Sequence, residues 1–175
     1  RESWDKPRFL RAAAQIQGVY VPSLYDVSYH ENGTIRAIIP LDGAPEKVVK
    51  RVVHDMDKSY YPVKTIVPST EIVHDRVTLE VFRGCIRGCR FCQAGYVYRP
   101  VRSRSREQLA EYARAAIRDS GYQEMTLSSL STSDYPQLVG LCDDLEVFCG
   151  ENHVNLSLPS LRADNFSMEL MQRLQ

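Results

Sequence analysis

Cys85, Cys89 and Cys92 carry the clearest chemistry in the chain, because they fall within eight residues in the spacing Cys-x3-Cys-x2-Cys. Three thiolates in one tight loop suit three corners of a cubane iron–sulfur cluster, since these clusters favour closely spaced thiolate ligands. Gly84 and Gly88 flank Cys85 and Cys89 and relieve crowding where the backbone wraps closely. The fourth iron is then open to a substrate or cofactor. Two other readings compete. A structural zinc site needs a fourth ligand, drawn from His54, His74, His153 or a distant cysteine. Buried free thiols fit poorly in a loop of Arg and Gly. The five cysteines are an odd number, and a secreted disulfide framework favours even counts with wider spacing. A reducing cytoplasm is the expected setting.

The same region is strongly basic. Seven arginines, Arg83, Arg87, Arg90, Arg99, Arg102, Arg104 and Arg106, occur with no Asp or Glu between them. Such a stretch faces an anion, and RNA is one expected partner. The alternative is a loop whose arginines pair with acids elsewhere in the fold, or that neutralise an anionic cluster and cofactor. Over the whole chain 22 basic residues balance 22 acidic ones, so net charge favours neither reading. No apolar run is long enough for a membrane span, and no secretory signal is visible. The chain begins with Arg1 rather than Met, and upstream residues are expected.

The elements that must position the cysteines follow from patterning. Residues 5–17 read as a helix ended by Gly18. Tyr25–Tyr29 and Ile35–Ile39 read as paired strands around Asn32-Gly33, a pair that favours a type I′ turn with both central φ angles positive. Residues 47–53 fit either strand or helix and lean to strand. Asp57–Pro68 reads as an extended linker laid over a neighbouring surface. From Arg76 the pattern becomes strand, loop, helix. Val77–Phe82 is the first strand, and Ser105 with Gln108 forms a capping box before a helix with an apolar stripe from Leu109 to Ile117. Met125–Leu130 is the second strand. Its following helix carries Leu138, Leu141, Cys142, Leu145, Phe148 and Cys149 on one face, so Cys142 and Cys149 are expected in the core. Val154–Leu158 is the third strand, with a helix from Asp164 or Asn165 to Leu174. Trp4, Tyr60 and Tyr61 are expected to anchor packing contacts, and His74-Asp75 to serve packing. Alternating strands and helices imply parallel βαβ units. The fold class is therefore α/β, a partial parallel (β/α) barrel of about three units, residues 76–175, preceded by a helix, hairpin and linker segment, residues 1–75.

The string from Arg83 to Cys92, with Phe91 as its aromatic, resembles the signature of the radical S-adenosylmethionine (SAM) superfamily. The wider words, through Gln93-Ala94-Gly95 and Tyr98-Arg99-Pro100-Val101-Arg102-Ser103-Arg104-Ser105, resemble an uncharacterised branch that follows a cobalamin-binding-type domain. The Asn-Gly hairpin and the stretch from Asp55 to Pro62 resemble the linker of that branch, and the likeness covers residues 19–175. The Arg-Ser-Arg after the cysteines is similar to methylthiotransferases acting on tRNA or ribosomal protein. The resemblance implies a [4Fe-4S] cluster on Cys85, Cys89 and Cys92, with SAM chelated at the open iron. It also implies one-electron cleavage to methionine and a 5′-deoxyadenosyl radical. Phe91 would lie beside the adenine.

Many members bind the methionyl amine with a Gly-Gly-Glu-type motif. This chain has Ser128-Ser129-Leu130-Ser131-Thr132-Ser133-Asp134 there, and Ser129 and Ser131 are the expected substitutes. Ser133 and Asp134 are expected to cap the next helix. Ser157, near the end of the third strand, and Arg162, after it, stand at the edge where parallel barrels place their sites. Arg162 either clamps the cofactor carboxylate or forms a surface ion pair.

The superfamily barrel has six strand–helix units, and about three follow Arg76, so truncation is expected, and the fragment alone is expected to bind a cluster but to be weakly active or inactive. The implied function is radical generation by SAM cleavage on an unknown substrate. The alternatives are cobalamin-assisted methyl or methylthio transfer to RNA or protein, with cobalamin held by an upstream domain, and a non-catalytic metal- or RNA-binding fragment. A flavodoxin- or ferredoxin-like electron donor is implied, as is self-association at the open barrel edge.

Overall fold

A computed structural model describes residues 5–165, which form two compact units dividing between Val53 and His54. In the first unit, helix α1 spans Lys6–Ala14, and the Asp5 side chain caps it by accepting from Arg8 N at 2.8 Å. Strands β1, Tyr25–Tyr29, and β2, Ile35–Pro40, form an antiparallel hairpin. Ala14, Val21, Leu24 and Tyr25 make a small core of this unit.

The hairpin turn departs from type I′. Gly33 has φ +81°, but Asn32 is not in the left-handed region. Gly33 N donates to His30 O, and His30 N donates to Thr34 O across a register shift beside Tyr29. The Asn32 carboxamide oxygen instead accepts from Thr34 N and Thr34 Oγ1, so its side chain holds the loop without a strained backbone. The strand expected over 47–53 does not form. Gly18, at φ +88°, lets that segment pass closely, for a Cβ there would lie 3.1 Å from Arg51 N. The segment packs against a turn and forms no strand ladder among the described residues.

The second unit is built on three parallel strands in the order β3 (Val77–Glu80), β6 (Glu124–Ser128), β7 (Asn155–Ser157). Helix α3, Arg106–Ser120, lies between the first two in sequence, and α4, Leu138–Asn152, between the last two. Leu79, Val81, Leu109, Ala113, Ala116, Met125, Leu127, Leu141 and Leu145 form its core with almost no exposure. Cys142 and Cys149 are buried there as expected. The sheet is open, and β7 lies at an edge among the described residues, as the partial barrel requires.

The expected first strand is split. After Glu80 the chain leaves the sheet. Short strand β4, Phe82–Arg83, then pairs antiparallel with β5, Arg102–Ser103. Ser105 caps α3 by accepting from Gln108 N at 3.3 Å, and Gly121 ends it at φ +71°. The reciprocal half of the capping box is missing. Ser105 N donates to Asp57 Oδ1 at 2.8 Å, while the Gln108 amide turns to Glu111. Helix α4 runs through Gly150 and stops at His153, whose φ is +54°. The expected helix to Leu174, and Trp4, lie outside the described residues.

The linker expected over 57–68 has no regular element, yet its start is tied to the sheet's loops. Met56 is buried, and Tyr61 stacks on Tyr112 at 4.8 Å and donates to Thr78 O at 2.7 Å. Tyr60 is 87% exposed and anchors nothing, contrary to expectation.

Candidate cluster and cofactor site

The cysteine loop, residues 84–101, leaves and re-enters through the β4–β5 pair. Its base is also closed by Cys85 N donating to Tyr98 O at 3.1 Å. Gly84 is needed at this closure. Its φ is +99°, and a Cβ would lie 2.6 Å from Tyr98 O and 2.8 Å from Pro100 O. Helix α2, Ala94–Val97, lies inside the loop, and Gly95 presses so closely on Arg87 O that no side chain fits.

The three thiols differ in setting: Cys85 is buried, while Cys89 and Cys92 are half-buried. None is in a disulfide. Cys85 Sγ accepts from Arg87 N at 3.4 Å, and Cys89 Sγ accepts from Arg162 Nη1 at 3.6 Å. Among the described residues, no three His, Cys, Asp or Glu side chains converge closely enough to hold a metal ion. The donor set nevertheless suits an iron–sulfur cluster. It offers three thiols in one stapled loop, two already accepting the N–H···S bonds that support cluster thiolates.

The loops after β6 and β7 meet this loop. Arg87 makes a two-pronged ion pair with Asp134, with Nε to Oδ2 at 2.9 Å and Nη2 to Oδ1. That hydrogen bonding holds the Asp134 carboxyl below its usual range against the opposing effect of burial, with help from Ser131. Ser133 and Asp134 therefore do not cap α4. Gln137 occupies the cap position, and Ser133 Oγ accepts from Arg162 N at 3.2 Å. Arg162 also makes a two-pronged pair with Asp164, at 2.9 and 2.8 Å, as the surface-pair alternative anticipates.

The other candidates are spread along this edge. Ser129 Oγ lies 2.9 Å from Thr132 Oγ1 and lines an open cavity of about 410 Å³ with Glu80, Phe82, Gly84, Tyr98 and Arg102. Ser131 is buried, and its hydroxyl lies beside the Asp134 carboxylate. Ser157 is half-buried, and its carbonyl accepts from Thr126 Oγ1 at 3.4 Å. Phe91 is 93% exposed, so its ring packs on nothing in the chain and presents its faces to a ligand.

The basic stretch is largely consumed within the fold, as the pairing alternative anticipates. Arg83 pairs with Glu80, Arg87 with Asp134, and Arg106 with Asp144. Arg104 is buried, and Arg99 and Arg102 donate to backbone carbonyls of the same loop. Sequence reasoning missed the acidic partners and the contribution of Glu80 and Tyr98 to the cavity. One available signal was that Glu80 falls near the end of the first expected strand and Asp134 in the loop after the second.

The site thus sets three thiols in one loop at the carboxyl edge of a parallel sheet on a (β/α) frame. A family model for the radical SAM superfamily matches residues 79–175, and the chain belongs to that superfamily. An uncharacterized protein of Methanocaldococcus jannaschii is 36% identical over 97 residues. The match covers 55% of this chain but only 21% of that relative. No helix among the described residues is long and apolar enough to cross a membrane.

Proposed function

We propose that the chain carries the cluster-binding part of a radical SAM enzyme. In this reading Cys85, Cys89 and Cys92 hold a [4Fe-4S] cluster, and SAM lies along the carboxyl edge of the sheet. The hydrogen bonds that Cys85 Sγ and Cys89 Sγ accept carry the reading, because they stabilise the thiolate form that ligation needs. When bound, the cluster would supply one electron to the sulfonium, giving methionine and a 5′-deoxyadenosyl radical.

The chain's own residues bind, orient and shield. Phe91, between two ligands and exposed, offers a ring face to the adenine. Ser129, on the cavity wall, and the buried Ser131 offer hydroxyl oxygens as acceptors to the methionyl amine. Ser157 offers a further hydroxyl at the end of β7. Phe82 and Tyr98 line the cavity with ring surface and limit water beside the reacting atoms. The electron would come from a flavodoxin- or ferredoxin-like donor.

Anaerobic reconstitution with iron and sulfide tests this directly. The expected result is a broad charge-transfer band that bleaches with dithionite, and methionine release from SAM. Alanine at Cys85, Cys89 or Cys92 should abolish iron retention, while alanine at the core thiols Cys142 or Cys149 should not. Stoichiometric zinc with no cleavage, or full iron content in Cys89→Ala, would sink the reading.

A further inference from the structure

Arg162 stands at the end of a chain of contacts that leads into the cysteine loop. Ser160 turns the backbone after β7 through a left-handed conformation, φ +59°, which a non-glycine residue adopts only when its surroundings hold it there. Thr132 N donates to Ser160 O at 3.1 Å, and Arg162 N to Ser133 Oγ at 3.2 Å. Asn165 Nδ2 donates to Ser133 O at 2.6 Å and to Asp134 Oδ1 at 3.2 Å. The loops after β6 and β7 are thus locked together. The Arg162 guanidinium is then fixed by Asp164 through Nε and Nη2. That pairing occupies one side of the fork and leaves Nη1 aimed at Cys89 Sγ, 3.6 Å away.

We propose that Arg162 is a positioning residue for the cluster, placing Cys89 and setting the reduction potential through its hydrogen bond and charge at the sulfur. This rests on the cluster reading above and goes beyond it. A donor to a ligand sulfur withdraws electron density, and a nearby cation favours the reduced, more negative cluster. Asp164 offsets part of the charge, but its carboxylate is the more exposed partner and the Nη1–H is nearest the sulfur. With Nε and Nη2 already committed, the guanidinium has one free edge for a new partner, and the sulfur has it.

The test compares the reconstituted chain with Arg162→Gln and Arg162→Lys. Iron per protein is counted, and the midpoint is read by a dithionite titration followed by electron paramagnetic resonance. Arg162→Gln should keep its iron and shift the one-electron equilibrium about tenfold toward the oxidised cluster, which is about 59 mV lower. Arg162→Lys keeps the charge and should recover at least half of the shift. Loss of iron from a folded Arg162→Gln protein, with iron retained in Arg162→Lys, also supports the placing of Cys89. If Arg162→Gln does not fold, Ser133→Ala is read instead, with a smaller shift in the same direction expected. An unmoved midpoint in an iron-loaded variant overturns the proposal, and an unmoved midpoint with weakened SAM affinity assigns Arg162 to the cofactor carboxylate. Equal iron loss in both Arg162 variants overturns it too. An unaltered chain that takes up no iron would bring down the cluster reading itself, and this proposal with it.

Discussion

Arg104 is 2% exposed and holds the segment from Met56 to Tyr61 against the end of the cysteine loop. Its guanidinium donates to Met56 O, to Ser59 O at 3.3 Å and to Ser59 Oγ at 3.0 Å. It lies over the rings of Tyr61 and Tyr112, 5.8 and 5.4 Å from their centroids, and 3.9 Å from Glu80. Burial pushes the Tyr61 phenol up to about 12, so the rings are neutral faces for the cation. Replacing Arg104 with Met keeps most of the aliphatic volume and removes the charge. Hydrogen bonds to a charged group contribute about 1.5–3 kcal/mol each, and a desolvated cation–π contact about 1–2 kcal/mol. These do not add, and the buried Nε without a hydrogen-bond partner is a standing cost that Met relieves. Glu80 keeps Arg83 as a partner, so no carboxylate is stranded. A net loss of about 3 kcal/mol follows, the lower end for breaking a buried charged contact. With a urea slope of about 1.5 kcal/mol/M, the midpoint followed by far-UV circular dichroism should fall by about 2 M. A fall below about 0.5 M would refute the reasoning, because it would mean the carbonyls of Met56 and Ser59 lose nothing when the guanidinium goes.

Phe91→Ala should leave iron content and urea midpoint unchanged, since the ring is 93% exposed, yet weaken SAM binding by about 1–2 kcal/mol in equilibrium dialysis. Equal affinity would remove Phe91 from the cofactor site. Hydrogen bonds from Arg106 hold the Asp144 carboxyl below its ordinary value of 3.8, against the smaller opposing effect of burial. The pair's stability is therefore present above that value and is lost as pH falls through the lower folded one. Each partner is about a third exposed, so the contribution is about 0.5–1 kcal/mol. The gap between the chain and Asp144→Asn should close as pH falls below the ordinary carboxylate range, and a constant gap would contradict the assignment. The strand β7 presents an unpaired edge among the described residues, so sedimentation should show association that grows with concentration. A strict monomer across the range would contradict it.

What could be read from the residues was local or periodic. The cysteine spacing, the stripe of α3 with Ser105 before it and Gly121 after it, and the alternation of strand and helix all act within a few turns of chain. What escaped was set by contacts at long separation. Ser105 N would complete a capping box, but Asp57, 48 residues earlier, takes that donor. Asp134 looks like a cap until Arg87, 47 residues away, claims its carboxylate. The segment 47–53 has strand-like patterning but no neighbour to form a ladder with, and pattern alone carries no information about the neighbour. In the Asn32-Gly33 turn the preference for φ above zero was met by Gly33 alone, because the Asn32 side chain had a cheaper use at Thr34.

The ion pairs around the cysteine loop are better understood as setting geometry than as adding stability. Arg87 is 34% exposed, and Arg162 and Asp164 are 32% and 55% exposed, so solvent screening leaves each pair little to add to stability. Their arrangement carries the information instead. The base of the loop is closed by β4–β5 and by Gly84, its first turn is held through Arg87 by Asp134, and its middle is met at Cys89 by Arg162. Restraints from three directions reduce the conformations open to residues 84–101 before any ligand arrives, which lowers the ordering cost that ligation would otherwise meet. Because the restraints on Arg87 and Cys89 come from the loops after β6 and β7, the sheet that sets the positions of those loops also sets the position of the thiols.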